Sequence, residues 1–341
     1  MAVLGIEGTA HTIGVGIVEE DPARPGRCRV LANERAMVRP PPPRPGEAAM
    51  GIHPREAAHH HSDHGPRLLR QALERAGLAP EELEGVAFSQ GPGLGPCLRV
   101  AATMARALSL RHGIPLAGVN HCVAHLEVAR GLTHVDDPVL LYASGANTQV
   151  LAFARGRYRV FGETLDVGLG NALDKFARDN GFPFPGGPEV ERLAAAADPS
   201  RLLELPYSVK GMDLAFSGLE TAARRLLQDG HPLPDVCHAI QEHAFAALVE
   251  VAERALAHVP KQELALGGGV ACNARLQQMA RAMCEERGAR FACPERSVLV
   301  DNGAMIAWLG HLRLRHEGPT PLAQSGVLPY QRTEEVDVPW R

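Results

Sequence analysis

The residues best suited to chemistry in this sequence are two histidines four apart, His121 and His125, in the stretch Asn120-His121-Cys122-Val123-Ala124-His125. On a helix this spacing puts both rings on one face, so both imidazoles can point at one ion. The apolar run Ile114-Pro115-Leu116-Ala117-Gly118-Val119 before them reads as a buried strand, and the residues after them, to about Gly131, have helical spacing. The pair therefore stands just past the carboxyl end of a strand, where open α/β sheets place their ligands. Two ligands rarely suffice for a metal, and the candidate third is Asp301, in Val300-Asp301-Asn302-Gly303 at the start of the last strong helix. Taken alone, the pair also fits two half-buried histidines satisfied by backbone carbonyls, which is the commoner case.

The elements that must position these residues form an α/β pattern. The chain opens on two apolar runs, Val3 to Ile6 and Ile13 to Val18, around the small hydroxyl-rich turn Glu7-Gly8-Thr9-Ala10-His11-Thr12. A third strand covers about Arg29 to Val38. Arg39 to Gly46 is a stiff proline-rich loop, an insertion-like surface segment. Pro54 suits the first turn of a helix that spreads His53, His59, His60, His61 and His64 around its cylinder, leaving His60 and His64 on one face as a candidate second site. Gly65-Pro66 is expected to kink or interrupt that helix. The strand Gly85 to Ser89 runs into Gly91-Pro92-Gly93-Leu94-Gly95-Pro96 and a helix to His112, an arrangement that offers free N–H groups to an anion, although no Gly-Lys-Ser/Thr closes it as in a Walker loop.

After the histidine pair, Val139 to Phe153 repeats the opening: strand, the small turn Ser144-Gly145-Ala146-Asn147-Thr148, strand. This implies an internal duplication, two α/β halves that face each other across a cleft suited to a nucleotide. Asp174 opens a helix and could accept hydrogen bonds from a nucleotide, though alone it is more often a solvated helix residue. Gly187 lets a ligand approach the backbone, and Glu191 could grip ribose hydroxyls. Gly267-Gly268-Gly269 at the end of the strand Glu263 to Leu266 is the strongest local nucleotide signal. The tail from Gly318 is proline-dotted, polar and expected to be only partly ordered.

Bulk properties narrow the classes. The chain has 341 residues, 45% hydrophobic and 22% charged, which is the composition of a soluble globular protein with one large or two smaller domains. No run of about 18 apolar residues and no basic leader occurs, so neither a transmembrane helix nor a signal peptide is expected. Seven cysteines without Cys-x-x-Cys argue for a reducing cytosol and against a disulfide framework. A net charge of −4 is not that of a general nucleic-acid binder. Between Pro22 and Arg55, however, seven arginines (Arg24, Arg27, Arg29, Arg35, Arg39, Arg44, Arg55) stand against Glu34 and Glu47. With only three lysines in the chain, this is either codon bias or a phosphate-contacting surface.

Together and in this order, these segments resemble the universal tRNA threonylcarbamoyltransferase family, whose archaeal and eukaryotic members are the catalytic subunit of the KEOPS complex and which was once described as an O-sialoglycoprotein endopeptidase family. The resemblance spans about Met1 to His316. It rests on Gly5-Ile6-Glu7-Gly8-Thr9-Ala10, His53-Pro54-Arg55-Glu56-Ala57-Ala58, Gly91 to Pro96, Asn120 to His125, Tyr142-Ala143-Ser144-Gly145-Ala146-Asn147-Thr148, Gly268 to Asn273 and Asp301-Asn302-Gly303-Ala304-Met305. The His-Pro-Arg-Glu-Ala-Ala form and Lys210-Gly211-Met212-Asp213 are similar to the archaeal branch.

The resemblance implies an α/β fold of two duplicated actin/Hsp70/sugar-kinase-like (RNase H-like) lobes with a nucleotide and metal cleft between them. The expected division is residues 1–134 for the first lobe, completed by the helix at about 302–316, then 135–301 for the second lobe and 317–341 for the tail. It implies one divalent metal on His121, His125 and Asp301, with Tyr142 near or on it, iron first and zinc as the alternative. It implies nucleotide contacts from Tyr142, Ala143, Ser144, Gly145 and Ala146, and from Asp174, Gly187, Glu191 and Asn273. The reaction implied moves the threonylcarbamoyl group from threonylcarbamoyl-AMP to the exocyclic amine of the adenosine 3′ of the anticodon in tRNAs reading codons that begin with A. ATP or AMP can share that site. The partners implied are tRNA and the KEOPS subunits, a small atypical protein kinase and accessory dimerisation subunits, in the cytoplasm and away from membranes. The family usually has glycine where Ala146 stands, so the methyl group puts that backbone contact in doubt, and Cys272 replaces the usual alanine. Three rivals remain: an ATPase or kinase of the same fold, which has no need of the histidine pair; a metalloprotease, disfavoured because no His-Glu-x-x-His occurs; and a non-catalytic nucleotide-gated scaffold.

Overall fold

The structure is a computed structural model that describes residues 1–40 and 52–341. Most of the proline-rich insert, with Arg44, lies outside the described residues. The first half builds β1 (Val3–Glu7), β2 (Thr12–Glu20), β3 (Cys28–Met37), α1 (Pro54–Ala76), β4 (Gly85–Gly91), α2 (Gly95–His112), β5 (Leu116–Asn120) and α3 (His121–Leu132). Its sheet has the order β3-β2-β1-β4-β5, with β1–β2 and β2–β3 antiparallel and β1–β4 and β4–β5 parallel.

The second half repeats the plan. It contains β6 (Val139–Ala143), β7 (Thr148–Ala154), β8 (Arg157–Glu163), α4 (Leu169–Asp179), α5 (Gly187–Ala194), the short pair β9 (Val209–Lys210) and β10 (Asp213–Leu214), α6 (Ser217–Gln228) and α7 (Leu233–His258). β11 (Glu263–Gly267), α8 (Ala274–Arg287), β12 (Arg290–Ala292), α9 (Arg296–Leu299) and α10 (Gly303–His316) complete it. The second sheet runs β12-β11-β6-β7-β8 with the same mixture of directions. β6 thus stands for β1, β7 for β2, β11 for β4 and β12 for β5. Strands β1, β4, β5, β6 and β11 are buried along their whole length, as expected of strands covered on both faces.

Two helices join the halves. α10 belongs to the second half in sequence but packs on β1, β2 and β4 of the first. Its residues Gly303 to Leu312 are all buried, as in a helix with no solvent face. The approach is so close that a Cβ on Gly5 would lie 2.1 Å from the Ala307 nitrogen, and one on Gly16 2.2 Å from the Ala304 nitrogen. α3 packs on α10, and their residues Cys122, Val123, Leu126, Ala129, Met305, Trp308 and Leu309 share one core with Leu140 and Tyr142 of the second sheet.

Two expectations are corrected. α1 is continuous through Gly65-Pro66. Its apolar face, with Ala57, Leu68 and Ala72, is held against the first sheet, and Gly65 sits against the Met104 side chain, so packing outweighs the lost backbone bond. The tail is not loose. It runs as a strap over both halves, from Thr320 N on Leu116 O (2.7 Å), through Leu328 N on Gln90 O (2.7 Å), to Val338 N on Gly156 O (2.8 Å) and Arg341 on Asp136 O (2.8 Å). Among the described residues no helix is long and apolar enough to cross a membrane.

Candidate metal and nucleotide site

α3 begins at the end of β5, where the Asn120 side chain accepts the Val123 N–H and caps the helix. At the matching place in the second half, Asn302 caps α10 by accepting the Met305 N–H. His121 is therefore fixed by one cap and Asp301 by the other. His125, one turn into α3, comes to the same point. Each of the three offers one ligand atom, and these atoms lie within 4.8 Å of one another. Asp301 Oδ1 is 3.3 Å from His125 Nε2 and 3.6 Å from His121 Nε2. The Tyr142 ring, at the end of β6, lies 5.2 Å from the His125 ring, and its buried hydroxyl has no hydrogen-bond partner among the described residues. Two imidazole nitrogens, a carboxylate and an orphaned phenol form a donor set that fits a divalent transition ion.

The electrostatics are those of a buried polar cluster. Burial opposes charge on His121, but the field and hydrogen bond of Glu7 and the charge of Asp301 overcome it and push its pKa up to about 9. His125 lies below its ordinary value, chiefly through burial, with His121 adding to the effect and the Asp301 hydrogen bond opposing it. Burial alone would raise Asp301, yet its hydrogen bond from His125 and the charges of His121 and His11 hold the carboxyl well below the usual range. Burial lifts the Tyr142 phenol well above 10.

The expected nucleotide residues gather around the β6–β7 turn. Ser144 N donates to Asn147 O (2.7 Å), and Asn147 N donates to Ser144 Oγ (3.2 Å). The first turn of α4 supplies Gly170 N to Ser144 O and Asn171 N to Gly145 O. No hydrogen bond among the described residues uses the N–H of Gly145 or Ala146, so both remain for a ligand. Ala146 is exposed and does not adopt positive φ, so its methyl group causes no backbone strain. Gly268 (φ +87°) abuts the end of β6; a Cβ there would lie 2.3 Å from Ala143 O. Asp174 Oδ1 accepts from Gly186 N (2.7 Å) and Gly187 N (3.3 Å), which oppose the upward shift that burial imposes on it. Glu191 Oε1 accepts from Ala274 N (2.8 Å), and Asn273 caps α8 while donating to Gln241 (3.0 Å). The side chains of Asp174, Glu191 and Asn273 thus each hold a loop through a backbone N–H. Gly187 opens onto free space.

Other sequence readings fare differently. The β1–β2 turn is satisfied internally, with Gly8 N on Ser89 Oγ (3.0 Å) and Thr9 N and Oγ1 on Glu7 Oε1 (2.8 and 2.5 Å). In the Gly91 to Gly95 loop, Gly93 N is taken by Pro329 O and Leu94 N by Thr9 O, so these N–H groups are not free for an anion. The His60 and His64 rings stack at 4.1 Å, and His64 Nδ1 is paired with the His60 carbonyl. Arg24, Arg27 and Arg29 form ion pairs with Asp21, Asp136 and Glu19, whereas Arg35 reaches across to Ser297 O (3.0 Å), just before Asp301. Two residues at the site were missed in the sequence. His11 packs edge-on against Phe184 of the other half at 5.3 Å. Glu7 Oε2 lies 3.0 Å from His121 Nδ1; its sequence signals are a carboxylate at the end of an apolar strand and its place in the Gly5 to Ala10 motif, neither of which names its partner.

The family model for tRNA N6-adenosine threonylcarbamoyltransferase (TsaD) matches residues 46–308. The chain is 53% identical over 339 residues to a probable bifunctional tRNA threonylcarbamoyladenosine biosynthesis protein of Methanoculleus marisnigri, covering 99% of this chain and 60% of that protein. It is 52% identical over 338 residues to a tRNA N6-adenosine threonylcarbamoyltransferase of Methanocella arvoryzae, covering 99% and 98%. The chain thus spans about three fifths of the length of its bifunctional relatives. Among solved structures, HypF of T. kodakarensis superposes with a TM-score of 0.63 at 14% identity, covering 92% of this chain and 48% of that one. The activator of 2-hydroxyisocaproyl-CoA dehydratase from Clostridium difficile gives 0.52 at 12%, covering 91% and 94%. These two likenesses concern the fold, which is the duplicated actin/Hsp70-like one. The extent of the family match and the identity to full-length members establish that this chain belongs to the tRNA N6-adenosine threonylcarbamoyltransferase family.

Proposed function

We propose that this protein transfers the threonylcarbamoyl group from threonylcarbamoyl-AMP to the exocyclic amine of the adenosine 3′ of the anticodon in tRNAs that read codons beginning with A. The single observation that carries this reading is the meeting of His121 and His125 from one half with Asp301 from the other, beside the turn of Tyr142 to Ala146, in a chain of this family. The residues that would hold the metal are His121, His125 and Asp301, with Tyr142 at the edge; iron is the first choice and zinc the second. Bound there, a divalent ion supplies Lewis-acid polarisation of a carbamoyl or phosphate oxygen, which a weakly nucleophilic aryl amine requires.

The chain's own groups do the rest. The free N–H groups of Gly145 and Ala146 face the phosphate, Gly268 keeps the opposite wall clear of side chains, and Gly187 admits the nucleoside. Asp174, Glu191 and Asn273 keep those loops in place. The lobes in this reading are 1–134 completed by about 302–316, and 135–301, with 317–341 as the tail; the two sheets and the packing of α10 on the first of them support it. tRNA reaches the cleft as the single-stranded anticodon loop, whose target base can be splayed out. The KEOPS partners, including the small kinase, and a cytoplasmic setting belong to this reading.

The test is threonylcarbamoyl transfer to tRNA with partner proteins supplied, comparing the wild type with His121→Ala/His125→Ala. Transfer falls by about 10²–10³-fold or more if the pair supports the electrophile, the scale of losing a principal electrostatic group. Undiminished transfer by the double variant would overturn the reading. ATP turnover without tRNA would favour the kinase-like rival.

A further inference from the structure

Glu7 closes β1, a strand otherwise made of Val3, Leu4, Gly5 and Ile6, and its side chain is fully buried. A buried carboxylate is costly unless each oxygen is satisfied. Oε1 takes the Thr9 N–H and hydroxyl, which accounts for the turn. Oε2 is not needed for the turn and lies 3.0 Å from His121 Nδ1. The other nitrogen of the same ring, Nε2, faces Asp301 Oδ1 at 3.6 Å. One imidazole is therefore bracketed by two carboxylates, one on each nitrogen. His125 has no such backing, since its Nδ1 is buried without a partner among the described residues. The duplicated half also lacks the device, because the residue that closes β6 is Ala143.

We propose that Glu7 is a positioning residue that accepts the Nδ1–H of His121, fixes the ring's orientation and leaves Nε2 as its donor atom toward Asp301 and His125. This rests on the metal reading given above. Carboxylates behind metal-bound imidazoles do this work generally: they select the tautomer and raise the basicity of the ligand, and their loss costs about 10–100-fold in metal affinity. A purely structural role at the turn would need only an acceptor for Thr9.

Glu7→Gln separates the two roles. Its carbonyl still accepts from Thr9, so the turn keeps its bonds and shape. Its amide, however, donates to His121 Nδ1 and drives the proton to Nε2, where it blocks the donor pair. The experiment titrates the full chain with Co²⁺ and with Zn²⁺, following the Co²⁺ absorption bands, for wild type, Glu7→Gln, His121→Ala and the double variant, with far-UV circular dichroism to check folding. The expected result is a 10–100-fold loss of affinity for both ions in Glu7→Gln, a shifted Co²⁺ spectrum, and little further loss when Glu7→Gln is added to His121→Ala. A wild-type measurement stands beside it in case the variant does not fold. In the Zn²⁺-loaded protein, ¹⁵N-histidine spectra, assigned with His121→Ala, show a protonated Nδ1 on His121. Wild-type affinity in folded Glu7→Gln, additive losses in the double variant, or an unprotonated Nδ1 would each overturn the role of Glu7 and leave the metal reading standing. A wild type that binds neither ion overturns both.

Discussion

Replacing Gly16 by alanine probes how the fold delivers Asp301. Gly16 lies in β2, paired with Gly5 of β1, and a Cβ placed on it would be 2.2 Å from the Ala304 nitrogen in the first turn of α10. Ordinary contact begins at 3.4 Å, so the shortfall is about 1.2 Å. The obstacle is backbone, and no side chain can swing aside to relieve it. Either β2 or the start of α10 must move by about 1 Å. Overpacking a dense core costs about 1–3 kcal/mol, and a backbone-to-backbone clash belongs at the upper end. With a urea slope of about 3 kcal/mol per M for a chain of this size, the midpoint falls by about 1 M. The same displacement reaches Asp301, three residues before Ala304, whereas ligand distances tolerate only about 0.2 Å. Co²⁺ affinity therefore falls at least about tenfold. The control is Gly77→Ala, at a left-handed helix end with φ +67° and nothing within 4 Å of an added Cβ. It costs about 1 kcal/mol and leaves Co²⁺ binding unchanged. A Gly16→Ala protein that unfolds at the wild-type midpoint and keeps its Co²⁺ affinity would refute the claim that direct backbone contact seats α10.

Three further outcomes are expected. Gly268→Ala combines a left-handed backbone with a contact of 2.3 Å to Ala143 O, so calorimetry should show AMP binding lost and unfolding should show a destabilisation of about 3 kcal/mol; AMP bound at wild-type affinity would place the nucleotide elsewhere. Asp166 accepts from Phe216 N, Ser217 N and Ser217 Oγ at the start of α6, and although burial alone would raise it, these bonds and the one from Val167 N bring its pKa down to about 2. Its contribution is therefore complete above about pH 4 and lost as pH falls through about 2; for this exposed group, Asp166→Asn should cost about 1 kcal/mol at pH 7 and nothing near pH 2, and a pH-independent difference would count against it. Among the arginines, Arg35→Glu should weaken tRNA binding and lower the salt slope by about one phosphate contact, whereas Arg27→Glu, which loses Arg130 O, Val135 O and Asp136, should lower stability instead; a salt slope unaffected by Arg35→Glu would end the case for that cation.

Much of the site is legible because its chemistry coincides with local pattern. The spacing of His121 and His125 survives only on a helix, and the glycine and hydroxyl turns that repeat between Glu7–Thr12 and Ala143–Thr148 reveal two halves before any contact is known. The part that is not legible depends on where side chains turn once the elements meet. Asp174, Glu191 and Asn273 each place one side-chain oxygen on a backbone N–H, of Gly186, Ala274 and Arg275, and no sequence pattern announces these contacts. Glu7 escapes notice because its partner is 114 positions away and only the parallel stacking of β1, β4 and β5 brings them together. Gly65-Pro66 misleads because the local cost of proline is smaller than the apolar contact that α1 makes along its length.

The duplication also explains why a three-residue site can be held firmly at the join of two halves. Beyond its last strand each half leads to a capped helix, α3 directly after β5 and α10 after β12 and the short α9, and these two helices pack on each other. Gly131 of α3 lies so near Trp308 of α10 that a Cβ there would stand 2.5 Å from the indole nitrogen. His121 and His125 are carried by one member of this pair and Asp301 by the start of the other, so their separation is set inside a shared apolar core. Loops that close on a substrate give up such rigidity. The β6–β7 turn is carried by a sheet, whereas His121, His125 and Asp301 are carried by the helix pair and the turn that leads into it, so the distances among these three side chains are set by close packing of α3 on α10.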